Sequence, residues 1–301
     1  MNLRKEVFMK VFLSVFCSLL FFWNFSFVEG EFHDVLQSPE LFGESPSVFS
    51  DKVKVYLDAL AKENGLREPR RLDPQILQDV KEALQSQAVC ILMRHGEQEE
   101  SEWVKNLTVA RKKIEMMRCN ENLMNSLTKD SVLEALATAL ALKYVLNKSG
   151  QEKVFYSSQN ARAFEAGELM GKVLEQTFQK NRVWDCVNYP EELLLPINEL
   201  EKKLPDGSLP WEEGIVDRIL GLGSYVKIHQ EMTKELQGKP FIALTHTQQI
   251  NAVAEQYDQP LERLTYFGFI LVDPNIHIAK TFKTGFFSPS KSGFIGSISQ
   301  L

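Results

Sequence analysis

From residue 88 onward the chain alternates short apolar runs with amphipathic stretches, and few architectures accommodate that pattern. The runs are "AVCILM", "KVFYSS", "RVWDCV", "PFIALTH" and "FGFILVD", with helical segments between them and a charged loop after the third. Strand-length apolar runs separated by helices predict a three-layer α/β sandwich, with a mostly parallel central sheet flanked by helices. The clearest helix follows residue 131. Ser131 and Glu134 are spaced as a capping box, Leu133, Leu136, Ala137, Leu140 and Tyr144 share one face, and Gly150 is placed as its stop.

Ahead of this domain, which is expected over residues 88–287, lies an N-terminal helical extension over 31–87. Residues 31 to about 50, rich in Ser, Pro and Gly, read as an extended lead-in. Two helices follow. In "SDKVKVYLDALAKENG", Val53, Tyr56, Leu57 and Leu60 recur at helical spacing up to Gly65; in "LDPQILQDVKEALQS", Asp73 is the N-cap and Pro74 the first helical residue. These helices are expected to pack on the main domain or cover its entrance. Residues 288–301, "SPSKSGFIGSISQL", read as a flexible tail.

Residues 1–30 read as a signal peptide: Arg4, Lys5 and Lys10 precede an apolar stretch, and Val28 and Gly30 are placed for cleavage. That reading implies a secreted or otherwise extracytoplasmic protein. The rival is an uncleaved membrane anchor, since apolar character continues to Val28. Contact with a membrane is expected only in that case. Beyond the segment, Cys90, Cys119 and Cys186 give no disulfide framework, and Cys90, inside a strand, reads as a buried thiol. A net charge of −6 with no continuous basic face excludes a nucleic-acid partner held through phosphates. Asn106 and Asn147 begin glycosylation triplets.

Chemistry concentrates at strand ends. In open α/β sheets, ligands bind beyond the carboxyl ends of the strands. The first run ends in Arg94, His95 and Gly96, the second in Ser157 and Ser158 with Arg162 opening the next helix, and the fourth in Thr245 and His246. Two guanidinium forks with flanking donors suit a tetrahedral dianion such as a phosphate monoester, and helix N-termini after Gly96 and Ser158 add positive potential. A neutral imidazole there can attack phosphorus through one nitrogen while a backbone carbonyl fixes the other. His33, His229 and His277 are assigned to surface or packing, and "EQEESE" to a solvated loop, since it lacks the spacing of a metal site.

Four motifs in order, "LMRHGEQ", "NSLTKDSVLEALATALA", "VFYSSQNARAFEAGELM" and "IALTHTQQINAVA", resemble the histidine phosphatase superfamily in its phosphoglycerate mutase-like branch. The resemblance spans about residues 88 to 280. It implies that His95 is the nucleophile that becomes phosphohistidine, that Arg94 and Arg162 bind phosphoryl oxygens, and that His246 stabilises the transferring group. It implies no cofactor and no metal. The general acid is expected from a loop after the third strand, where "LPINELEKKLPDGSLPWEEG" offers Glu199 ahead of Gly207, Trp211 and Gly214, with Glu201 and Glu97 as alternatives.

The chain departs from the family pattern in several places. Gln159 stands where a proline is usual, Ala166-Gly167 where Thr-Ala is common, and "THT" where "HD" occurs in the branch that cleaves many exported phosphomonoesters. An exported phosphatase acting on a small phosphorylated substrate or a phosphoprotein is the first expectation. A phosphatase-like module that only binds a phosphorylated ligand or partner, and a phosphoglycerate mutase-like enzyme, are the alternatives. Specificity is expected to reside in the insertion at 97–125, the loop at 189–214 and the N-terminal extension.

Overall fold

The computed structural model describes residues 39–86, 89–99, 127–147, 153–184, 232, 234–237, 239–256, 261, 264–273 and 278–289. The signal-peptide reading, Glu199, Glu201, His33, His229, His277 and Asn106, most of the 97–125 insertion, the 189–214 loop and nearly all of the tail lie outside them.

Where an extended lead-in is expected, the chain is already helical: α1 spans Pro39–Gly43 and α2 spans Pro46–Glu63. The prolines mark starts, not breaks, because proline lacks only a hydrogen that the first helical turn leaves unused. Ser45 caps α2, its hydroxyl accepting from the Val48 amide at 3.4 Å, and Phe49, Val53, Leu57 and Leu60 bury one face. The third helix, α3 (Pro74–Ser86), begins as the sequence predicts, with the Asp73 carboxylate accepting from the Gln75 and Ile76 amides at 2.9 and 3.3 Å.

The sheet has six strands: β1 (Cys90–Arg94), β2 (Val154–Ser157), β3 (Gln179–Lys180), β4 (Phe241–Thr245), β5 (Phe269–Val272) and β6 (Ile278–Phe282). Their spatial order is β3-β2-β4-β1-β5-β6. The first four run parallel, β5 runs antiparallel to β1, and β6 antiparallel to β5. This is the mostly parallel sheet flanked by helices that the sequence predicts. Every residue of β4 and β5 is buried. A strand covered on both faces reads as a continuous apolar run and not as an alternation. Cys90 is also buried, and burial pushes its thiol up to about 11, which makes it inert packing.

Two strand expectations are corrected. "RVWDCV" is no strand in its described part, since Arg182–Trp184 forms a 3-10 turn after the two-residue β3. Asn181 closes that turn with its side-chain oxygen to the Val183 amide at 3.0 Å and its carbonyl to the Trp184 amide at 3.1 Å. Trp184 packs on Phe241, ring centroids 5.3 Å apart, so its hydrophobic signal comes from core packing. The unanticipated β6 is an edge strand whose exposed Ala279 and Lys280 hide it from a hydrophobicity pattern.

The central helix α4 covers Lys129–Leu146, and Thr128, not Ser131, is its N-cap: the Thr128 hydroxyl accepts from the Ser131 amide at 3.1 Å. The predicted capping box is replaced because both members are used elsewhere. Ser131 Oγ accepts from the Glu97 amide at 2.8 Å, and Glu134 pairs with Arg70 at 2.8 Å. The described helix closes at Asn147. Helices α2 and α3 pack on α4 and share its core: Phe49 stacks on Tyr144 at 4.3 Å, and the Tyr144 hydroxyl donates to the Glu44 carbonyl at 2.9 Å. Residues 39–86 are therefore continuous with the core that backs β1.

A glycine locks the closing segment. Gly285 has φ +67°, and a β-carbon there would stand 2.3 Å from the Phe267 carbonyl oxygen. Gly285→Ala is expected to destabilise the fold by roughly 1–3 kcal/mol or more, as left-handed backbone strain is compounded by a clash with main chain. Thermal unfolding should show a midpoint several degrees lower.

Candidate active site

Because β2, β4 and β1 are adjacent and parallel, their carboxyl ends open on one edge. The hydrogen-bond ladder continues one residue past each strand: the His95 amide donates to the Thr245 carbonyl and the Ser158 amide to the Leu244 carbonyl, each at 2.9 Å. The backbone that carries the chemical side chains is thus as fixed as the sheet. His95, Ser158 and His246 are all buried, and the two imidazoles lie 4.8 Å apart between centroids. Helices α5 (Ala161–Leu174) and α6 (Thr247–Gln256) begin directly at this edge.

Gly96 permits the turn out of β1. A β-carbon there would meet Ser131 Oγ at 2.3 Å, Phe267 Cζ at 2.8 Å and Leu127 Cδ2 at 2.9 Å. The chain therefore passes tightly against the start of α4, and the Thr128 amide donates to the Glu97 carbonyl at 3.0 Å. That contact gives this side of the site the start of a helix, as the sequence expects after Gly96, although residues 100–126 intervene.

The contacts of His95 define its tautomer. His95 Nδ1 lies 2.5 Å from the Gly96 carbonyl oxygen, which can only accept. Nδ1 therefore carries the hydrogen, and Nε2 keeps its lone pair. His246 meets donors on both sides: an Arg162 guanidinium nitrogen lies 3.3 Å from its Nδ1, and the Asn160 side-chain amide nitrogen lies 3.0 Å from its Nε2. The Ser158 hydroxyl, which can donate or accept, also lies 3.0 Å from Nε2. Burial, then the Arg162 guanidinium, hold both histidines well below their usual range, with Arg94 adding to the effect. The Gly96 carbonyl opposes this at His95, and the neighbouring His95 reinforces it at His246.

The two arginines are anchored differently. Arg94 donates to the Leu264 carbonyl at 2.5 Å and lays its guanidinium over the Tyr266 ring, 4.3 Å from its centroid. Arg162, in the first turn of α5, donates to His246 and to the Gln98 side-chain oxygen. Four residues singled out from sequence, Arg94, His95, Arg162 and His246, therefore stand together. Among the acid candidates, Glu199 and Glu201 lie outside the described residues. Glu97 carries a carboxylate 3.6 Å from Arg67, an ion pair on the side facing the N-terminal segment. Among the described residues, no group of three or more His, Cys, Asp or Glu could hold a metal ion.

Sequence reasoning missed Gln98, Asn160 and Tyr266. Gln98 is three residues from His95 in the same motif, and Asn160 is the N-cap position of α5, so position alone could have nominated both. Tyr266 has no such signal, because it enters from a turn ahead of β5.

The edge thus defines an α/β protein in which two buried, neutral imidazoles stand beside two half-buried guanidiniums. No protein-family model matches the chain, and no curated protein does. Solved structures similar to it include a mycobacterial glucosyl-3-phosphoglycerate phosphatase, at 14% identity and TM-score 0.39, covering 66% of this chain and 99% of that one. A phosphoserine phosphatase from Entamoeba histolytica matches at 15% identity and TM-score 0.39, covering 66% and 98%. A structure described as mycobacterial hydrolase 1 matches at 15% and 0.38, covering 62% and 91%. Likeness at this level fixes no reaction, and the fold rests on the strand order and register described above.

Buried neutral histidines make stability depend on pH. Their folded pKa values lie below the unfolded value of about 6.5, so the unfolded chain binds more protons once pH falls below that point. Stability from this source is complete above about pH 6.5 and is lost as pH falls toward the folded values. Thermal midpoints recorded from neutral to acid pH should decline below that value, and His95→Asn/His246→Asn should flatten the decline.

Proposed function

We propose that the protein is a phosphatase that hydrolyses a phosphomonoester through a phosphohistidine on His95. The observation that carries the proposal is the His95 imidazole, held by the Gly96 carbonyl with Nε2 unprotonated, within a pocket whose other groups are His246 and two guanidiniums. Two fixed positive charges beside two neutral rings favour a dianion, and phosphoryl transfer is chiefly positioning and electrostatic stabilisation of phosphoryl oxygens.

In this reading, Arg94, Arg162 and His246 hold the phosphoryl oxygens while His95 Nε2 attacks phosphorus. The P–N bond forms, the ester P–O bond breaks, and a carboxylic acid protonates the departing alkoxide. That acid, now a carboxylate, takes a proton from water as the water oxygen attacks phosphorus and the P–N bond breaks, releasing inorganic phosphate and neutral His95. The Gly96 carbonyl holds the Nδ1 hydrogen throughout, which supports the positive charge that develops on the ring. Glu199 is the proposed acid. The engagement of Glu97 with Arg67 supports that choice over Glu97, while Glu201 shares the loop of Glu199. Export through residues 1–30 and a small phosphorylated substrate or phosphoprotein complete the proposal.

Rapid quenching after mixing with a 32P-labelled phosphomonoester should leave acid-labile, base-stable label on the protein, absent from His95→Ala. Turnover in His95→Ala should fall by about 10³-fold or more, and in Glu199→Gln by roughly 10²–10⁴-fold. A chain that binds orthovanadate yet turns over nothing in a broad phosphomonoester panel would be a binding module instead. Full activity in His95→Ala would refute the mechanism.

A further inference from the structure

The turn ahead of β5 is strained beside the site. Thr265, Tyr266, Phe267 and Gly268 form a turn closed by the Gly268 amide to the Thr265 carbonyl at 3.0 Å, with Phe267 in left-handed backbone at φ +58°. That third position ordinarily takes glycine, and a bulky residue there costs of order 1–3 kcal/mol. Surrounding structure sustains it. The Phe267 side chain is fully buried, its amide donates to the Arg94 carbonyl at 3.2 Å, and Thr265 donates to the Lys283 carbonyl through both its amide and its hydroxyl at 2.9 Å.

The result is the placement of one side chain. Tyr266 lays its ring under the Arg94 guanidinium at 4.3 Å and stands 6.1 Å from the His95 ring, so it faces both groups that meet the phosphoryl centre. From outside, Arg70 holds the same residue: its guanidinium donates to the Tyr266 carbonyl at 3.3 Å while gripping both oxygens of Glu134, at 2.8 and 3.2 Å, and lying 4.3 Å over the Phe287 ring. The residue preceding the strained turn's apex is therefore clamped between the segment ahead of α3 and the site.

We propose that Tyr266 is a positioning residue for Arg94, fixing the guanidinium fork so that it meets the phosphoryl oxygens without reorganising. The proposal rests on the phosphatase reading and deepens it. An arginine side chain has many rotamers to lose on binding, and a ring stacked on one face leaves its edge donors aimed at the ligand with less to lose. The backbone carbonyl of Leu264 fixes one nitrogen, and the Tyr266 ring fixes the plane.

The test measures dissociation constants for orthovanadate and inorganic phosphate in the wild type and in Tyr266→Phe, Tyr266→Leu and Tyr266→Ala, alongside kcat and KM for a phosphomonoester. Tyr266→Phe keeps the ring and should bind within about twofold of wild type, whereas Tyr266→Leu, which fills the space without a π face, should weaken both anions about tenfold. KM should rise more than kcat falls in the Leu variant, and thermal midpoints identify any variant that is merely unfolded. Equal anion affinity in folded Tyr266→Leu and wild type would overturn the positioning role and leave the phosphatase reading standing. A wild type that binds neither anion would overturn both.

Discussion

Two imidazoles kept neutral between two guanidinium groups form the constraint on which the rest of this structure depends. Burial removes water that would stabilise an added proton, and Arg94 and Arg162 repel it, so His95 and His246 leave the permanent positive charge to the arginines. An arginine cannot discharge itself as a buried lysine can, so the positive charge at this edge is permanent. The same condition that lowers the proton affinity of His95 keeps its Nε2 lone pair available.

The fold supplies that condition through register. Parallel pairing of β2, β4 and β1 brings three chain segments to one edge, and the ladder extends past the strands to seat His95 and Ser158 by their own amides. Behind them α4 is buried over nearly its whole circumference, because α5, α3 and α2 pack around it and it shares one core with the sheet. Its first two turns do two jobs: Ser131 holds the Glu97 amide, and Glu134 anchors Arg70. The segment ahead of the sheet thus reaches the site's surroundings through Arg67 and Arg70, two residues in the link between α2 and α3.

What the sequence made legible follows from where the physics is local. β1, β4 and β5 announce themselves because a strand buried on both faces must be apolar throughout, and the four candidate residues because strand ends are where α/β sheets bind ligands. β3 has two residues and β6 exposes Ala279 and Lys280, so neither carries a hydrophobic signature. Pro39 and Pro46 read as breakers, yet each opens a helix. Ser131 and Glu134 have capping-box spacing, but partners distant in sequence claim them. Tyr266 is invisible for the same reason: its placement arises from a turn whose left-handed Phe267 is sustained by tertiary packing.

Catalysis by His95 turns on the protonation state of one ring. Nitrogen-15 spectra of the histidine side chains at about pH 6.5, where an ordinary imidazole is half protonated, test it most directly. His95 is expected to be wholly neutral with its hydrogen on Nδ1, and its Nε2 resonance to be displaced when orthovanadate saturates the protein. A His95 that is half protonated at that pH, or that carries its hydrogen on Nε2, would contradict it.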